Sequence, residues 1–294
     1  MSALQPILAH IQQARNTCPS RPLFVALQGP QGSGKSYISA LVVKELRSAS
    51  LNVASLSLDD IYLPHEGLAA LSAAHPDNVL WRGRGQPGTH DIALGKKVLV
   101  ALRDGNQVEL PRFDKSQFNG EGDRVPLGLP DATFARPPVD VVLLEGWCVG
   151  FCPISDEELH SRWDGAWTKE RRRLGLGAEV RKEHVQAANE VLKGYIELWD
   201  MFDVFIQLKP CASENEESPF SIVYKWRQEQ EHNMKALNGG RGMDDIAVKR
   251  FVDRYIPGYV FFGDGPEIGF NGVVPRWKGN FLRLSIDIDR HIVA

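Results

Sequence analysis

The chain has 294 residues, 43% of them hydrophobic and 24% charged, with a formal net charge of -3 at pH 7. That length and apolar content can supply a substantial buried core, and the slightly acidic balance excludes a globally basic nucleic-acid binder, leaving room only for a local patch. Composition therefore favours an enzyme acting on small molecules. Cys18, Cys148, Cys152 and Cys211 form no C-x-x-C pair, so reduced thiols in a cytoplasmic protein are expected. The longest apolar runs, such as Leu23–Leu27, are too short to cross a bilayer.

Residues 1–22 carry Arg15 and Arg21 and no acidic residue. A targeting leader and a packed N-terminal helix both fit that composition, and the core strand that follows at once favours the helix. Pro22–Leu27 is short, apolar and followed by glycines, as expected of a buried parallel strand entering a tight turn. A helix is expected from about Gly34 to Ser48. Val53–Leu58 reads as a strand that ends on Asp59 and Asp60, placing two carboxylates at a strand's carboxyl end, where open α/β sheets bind ligands. Residues 91–103 read as a helix opened by Asp91, with Ile92, Val98 and Leu99 as its apolar positions.

Two long irregular segments are expected, at 105–137 and 151–184, and loops of that length are often functional. The first is rich in Gly, Pro and charge and is expected over the site. The second carries Lys169–Arg173, read as solvated surface in preference to an RNA patch. Between them Val139–Leu144 is a buried strand closing on Glu145–Gly146, and Phe202–Leu208 is a further strand. A helix over 219–237, a glycine break at 238–242 and a helix over 244–255 predict a hinged lid; Leu282–Ile288 completes the strands. The alternation predicts one domain spanning residues 1–294, a three-layer α/β/α P-loop fold with a mostly parallel sheet, right-handed crossovers and a helical lid.

The strongest chemical signal is Gly29-Pro30-Gln31-Gly32-Ser33-Gly34-Lys35-Ser36, which matches G-x-x-x-x-G-K-[ST] between a strand and a helix. Its glycines let backbone N–H groups point inward, and the helix N-terminus adds a favourable dipole toward a polyphosphate. Lys35 is expected to neutralise the β and γ phosphates, Ser36 to bind Mg2+, and Tyr37 to complete the nucleotide-binding segment. ATP with Mg2+ is the implied cofactor pair. No N-K-x-D is present to read guanine.

Asp59 is placed to accept a hydroxyl proton beside the γ-phosphate, with Asp60 and Tyr62 alongside; the plainer alternative is that the two aspartates only cap a turn. Glu145 is expected near the metal or its waters. Arg82, Arg84, Arg112 and Lys115 are each ordinary surface charges when read singly, and together they suggest an anionic acceptor. His90 either orients a substrate hydroxyl or caps a helix. Arg227 and Arg241 lie in the expected lid, where one arginine can stabilise the transferring phosphoryl group or merely cover a helix surface.

In order after the P-loop come Ser57-Leu-Asp-Asp-Ile-Tyr62, Arg82-Gly-Arg-Gly85, Gly88-Thr-His-Asp91, Pro111-Arg-Phe-Asp-Lys-Ser116, Glu145-Gly-Trp147 and Tyr224-Lys-Trp-Arg-Gln228. With these motifs the sequence resembles the D-glycerate 3-kinase family of plants and fungi, itself similar to phosphoribulokinase, uridine kinase and pantothenate kinase. The likeness runs from about Leu23 to the final strand and leaves 151–184 unmatched. It implies ATP-dependent transfer to the 3-hydroxyl of D-glycerate, a small anionic hydroxy acid, with Asp59 as the acceptor-activating aspartate. Other acceptors, such as a nucleoside, pantothenate or a sugar acid, are the alternative. An ATP-binding regulatory or nucleic-acid-associated ATPase is a competing class, resting on the same P-loop and the basic stretch Lys169–Lys182.

Overall fold

The computed structural model describes residues 2–18, 21–211, 218–237, 239–270 and 272–293. In chain order, α1 (Leu4–Thr17) precedes β1 (Leu23–Gln28), α2 (Lys35–Ser48), β2 (Val53–Ser57), α3 (His65–Ala74) and α4 (Ile92–Arg103). Two small antiparallel ribbons follow, β3 (Val108–Glu109) with β6 (Phe134–Ala135) and β4 (Phe113–Asp114) with β5 (Asp123–Arg124). Next come β7 (Val141–Gly146), α5 (Asp156–Arg162), α6 (Thr168–Arg173), α7 (Lys182–Leu192), α8 (Ile196–Trp199) and β8 (Val204–Pro210). The chain then runs through α9 (Ser221–Leu237), α10 (Asp245–Asp253), α11 (Ile256–Phe262), α12 (Gly265–Ile268) and β9 (Phe281–Ile286).

The main sheet has the order β2-β7-β1-β8-β9 with every neighbouring pair parallel. Every residue of β1 and β7 is buried, as a strand covered on both faces demands. Period-2 alternation splits β1 between two cores. Leu23, Val25 and Leu27 pack with Ile7 and Ile11 of α1 and Val42 and Leu46 of α2; Phe24 and Ala26 face Leu99 of α4, Val185 of α7 and Phe261 of α11. After β1 the chain crosses to β2 on one side, and after β7 it crosses to β8 on the other. The two departures open a crevice at the carboxyl ends of the strands, where doubly wound sheets bind ligands.

Local signals account for the helix starts near that crevice. Asp91 caps α4 through Leu94 N–H at 2.9 Å. Gly95 lets α4 lie close, because a Cβ there would stand 2.8 Å from Ile61 Cδ1. Leu58–Ile61 forms one 3-10 turn closed by a reciprocal pair, in which Ser57 Oγ accepts from Asp59 N–H and Asp60 accepts from Ser57 N–H.

The segment 151–184 corrects the expectation of an irregular loop. It holds α5, a π-helical turn over Trp163–Trp167 and α6. Ser155 Oγ accepts from Glu158 N–H at 3.1 Å to start the helix, and Leu159, Trp163 and Trp167 recur every four residues, the two tryptophans packing on Phe261. The arginine run hid this stripe. Residues 105–137 hold the two ribbons and a 3-10 turn over Phe118–Gly120 and are otherwise irregular. Glu145 and Gly146 are the last two residues of β7. The helix–break–helix pattern becomes α9 and α10; Asn238, at the head of the glycine break, lies outside the described residues. No helix among the described residues is long and apolar enough to cross a membrane.

Candidate active site

The P-loop leaves the carboxyl end of β1 and enters α2 at Lys35 through Gly34, whose φ of 83° is left-handed. Gly32 has φ 73°, and a Cβ on it would stand 2.5 Å from Trp226 Cβ; only glycine fits both the backbone and the contact. Two further groups fix the loop from outside. Arg290 Nε donates to Gly32 O at 2.9 Å while its guanidinium lies over the Trp226 ring. Gln31 N–H donates to the Tyr259 hydroxyl at 3.2 Å, and that hydroxyl donates to Gln31 Oε1. Ser33 N–H donates to Pro30 O at 3.2 Å, and Gly29 must be small because a Cβ there would meet Ser33 Oγ at 2.7 Å. Tyr37 points outward and is 71% exposed.

Ser36 Oγ donates to Glu145 Oε1 at 2.9 Å, joining the first turn of α2 to β7. The other carboxylate oxygen, Glu145 Oε2, is buried with no hydrogen-bond partner, as are Ser33 Oγ, Gln28 Oε1 and His90 Nε2. Buried polar atoms without partners are exceptional, and this group gathers around the strand ends. A serine hydroxyl beside a carboxylate with a free oxygen is a hard oxygen donor set, which suits Mg2+.

Asp59 stands at the end of β2, where it accepts hydrogen bonds from Lys115 Nζ and from the Tyr62 hydroxyl. Burial alone would raise its pKa; the ammonium groups of Lys115 and Lys35 outweigh burial and hold the carboxyl well below the usual carboxylate range. The Lys115 ammonium is stabilised in turn, burial opposing and the Asp59 carboxylate prevailing. Asp60 behaves oppositely. Burial pushes it up to about 6, the neighbouring Asp59 charge adds to the rise, and N–H donors from Ser57 and Phe113 oppose it. Asp60 thus caps the turn, and Asp59 faces the site.

His90 is buried against Tyr62, ring on ring at 4.5 Å. Burial lowers its pKa to about 4, so it is neutral at pH 7. Its Nδ1 lies 2.8 Å from the Tyr195 hydroxyl, which also accepts from Gly88 N–H at 2.9 Å. The hydroxyl proton then has Nδ1 as its acceptor, which puts the ring proton on the unpartnered Nε2.

The remaining expected cations divide. Arg84 spans the carbonyls of Gly120 and Glu121 and lies over the Phe113 ring, so it holds the 105–137 excursion against the 82–85 loop. Arg82 is exposed with no side-chain partner among the described residues, its own carbonyl accepting from Arg254. The Arg112 guanidinium pairs with Asp131 at 2.9 Å, and both side chains are largely exposed. Arg227 pairs with Glu231 at 2.6 Å and lies over the Phe251 ring, while its neighbour Trp226 is the α9 residue that touches the P-loop. Of the expected residues, the structure gathers Lys35, Ser36, Asp59, Tyr62, His90, Lys115 and Glu145.

Sequence reading missed Tyr195, Arg254, Tyr259 and Arg290. Arg254 donates to the carbonyls of both Arg82 and Arg84. Gly85 leaves room for a tyrosine, since a Cβ there would stand 2.2 Å from the Tyr255 hydroxyl. The signal available in advance was weak, a single Tyr255-Ile-Pro-Gly-Tyr259 run in which both tyrosines point at glycine-bearing loops.

No protein-family model matches the chain. A probable ATP-dependent kinase of Saccharomyces cerevisiae is 35% identical over 290 residues, 95% of this chain and 88% of the relative. The chloroplastic D-glycerate 3-kinase of Arabidopsis thaliana is 31% identical over 260 residues, 84% of this chain and 50% of the relative. Among solved structures, the D-glycerate 3-kinase of Cryptococcus neoformans superposes with a TM-score of 0.87 at 34% identity, covering 100% of this chain and 98% of that one.

Proposed function

We propose that this chain, which belongs to the D-glycerate 3-kinase family of P-loop kinases, transfers the γ-phosphoryl group of ATP to the 3-hydroxyl of D-glycerate, giving 3-phosphoglycerate and ADP. The observation that carries this reading is the Asp59–Lys115 pair at the end of β2, a carboxylate to receive a hydroxyl proton beside a cation to receive a carboxylate.

In this reading the P-loop amides and Lys35 hold the triphosphate, and the α2 N-terminus favours its charge. Ser36 and Glu145 hold Mg2+, which neutralises charge on the phosphate oxygens when bound. The acceptor's carboxylate draws Lys115 away from Asp59 and gains a charge-assisted bond. Asp59, freed of Lys115, takes the hydrogen bond of the 3-hydroxyl and receives its proton as the O–P bond forms. A carboxylate held ionised at all working pH values is a weak base. That suffices here, because a loose transition state leaves most of the proton on the attacking oxygen until late. His90 Nε2 is a neutral donor able to orient the acceptor, adding no charge.

The test is ADP release by the purified protein with ATP and Mg2+ against D-glycerate, L-glycerate, pantothenate, uridine and sugar acids, with 31P NMR fixing the position of the new ester. Saturable turnover on D-glycerate with phosphate on C3 supports the reading. If D-glycerate is inert while another acceptor turns over, the substrate assignment falls and the kinase class stands.

A further inference from the structure

A cleft of about 600 Å3, lined by no P-loop residue, lies between the 79–82 turn, the 167–180 segment and α10. Its volume is that of a small-molecule site. Lys35, Asp59, His90 and Lys115 do not line it; Arg82 and Arg254 do. Trp167, Leu176, Val180 and Phe251 make its apolar wall.

The charges facing it are unevenly satisfied. Lys249 is paired with Asp253 at 3.0 Å, and Asp253 also accepts from the Tyr224 hydroxyl. Arg254 is spent on the carbonyls of Arg82 and Arg84. Arg82 and Arg250, by contrast, have no side-chain partner among the described residues, and neither has Glu179, the other acid of the lining. Two unpaired guanidinium groups and one unpaired carboxylate leave a positive excess beside an apolar wall. Guanidinium groups on one cleft wall favour a carboxylate or phosphate.

We propose that this cleft is a second ligand site, for a small organic anion with an apolar body, whose occupancy reaches the acceptor loop through Arg254. The link is direct: Arg254 lines the cleft and donates to the carbonyls on both sides of Gly83, and Arg84 in turn holds the turn that follows Lys115.

Phenyl phosphate combines the two recognition elements, with inorganic phosphate and phenol as controls for head and body. Calorimetric titration of the full-length protein with phenyl phosphate should give saturable binding in the range of about 0.1–1 mM. Arg250→Glu should weaken it by about tenfold or more, and Glu179→Gln should tighten it, as the local charge predicts. In steady-state assays with whichever acceptor turns over, phenyl phosphate should shift that acceptor's KM in the wild type and not in Arg250→Glu, whose basal activity is unchanged. Absence of saturation up to about 10 mM, equal binding to Arg250→Glu, or equal binding of inorganic phosphate overturns the proposal. Loss of binding in Lys115→Ala also overturns it, because the anion then occupies the acceptor site. The binding arm needs no turnover, so it stands or falls apart from the kinase reading.

Discussion

Replacing Lys115 by methionine separates two roles that the Asp59–Lys115 pair combines. If Lys115 grips the acceptor carboxylate, Lys115→Met removes one charge-assisted hydrogen bond, worth about 1.5–3 kcal/mol, or about 10- to 150-fold in acceptor KM. The Lys115 side chain is 55% exposed, so solvent screening argues for the lower end, about tenfold. The same change removes the first of the two cations that hold Asp59 ionised against burial. A nearby opposite charge lowers a carboxylate by about 1–3 pH units, so the Asp59 titration should climb by that amount, leaving Lys35 as the remaining restraint. Activity needs the ionised carboxylate. The acid limb of kcat/KM, which reports the free enzyme where Lys115 still pairs with Asp59, should therefore shift upward in the variant, so that kcat/KM falls off more at the acid end of the range than in the wild type. Steady-state kinetics from pH 4.5 to 9 at saturating ATP read both effects. An unchanged KM with a lowered kcat would show that Lys115 serves Asp59 alone, and an acid limb that stays put would refute the account of Asp59's ionisation.

Asp59→Asn should bind ATP with wild-type affinity by calorimetry while kcat drops about 10²- to 10⁴-fold; near-full activity would remove Asp59 from the chemistry. Glu145→Gln trades an anionic oxygen for an amide, so the Mg2+ concentration for half-maximal rate should rise with little change in fold, read by Mg2+ titration and circular dichroism; an unaltered Mg2+ dependence would mean that Glu145 only anchors Ser36. Asp60 sits at about 6 in the folded protein against an ordinary 3.8, so between those values the folded state binds more protons than the unfolded one and stability falls as pH rises. The loss is complete above about pH 6 and amounts to at most about 3 kcal/mol. Asp60→Asn, whose amide oxygen can still accept from Ser57 N–H, should abolish that slope in urea melts at pH 5 and 7.5, and parallel slopes in both proteins would disprove the assignment.

Strand-borne features were legible in the sequence because they are local. Pro22–Leu27, Val53–Leu58 and Val139–Leu144 announce buried strands by apolar runs, and the residue chemistry at their ends, Lys35, Asp59 and Glu145, is fixed within a few positions of each strand. Segment 151–184 was not legible for a specific reason. Its apolar stripe of Leu159, Trp163 and Trp167 is interrupted by a π-helical turn, which breaks the 3.6-residue period, and it is followed by Lys169–Arg173, which reads as solvated surface.

Contacts made across the fold were beyond sequence reading in a second way. Tyr195 reaches Gly88 from 107 positions away, Arg254 reaches Arg84 across 170, and Tyr259 reaches Gln31 across 228. Arg227 differs, since one of its partners is local: Glu231 lies one helical turn on in α9, and only the Phe251 ring comes from another helix. These long-range contacts are not scattered. Trp226 of α9 packs on Gly32, Tyr259 of α11 bonds Gln31, and Arg254, between α10 and α11, bonds the 82–84 carbonyls. One stretch of chain therefore touches both the P-loop and the acceptor loop. A displacement of these helices would alter both halves together.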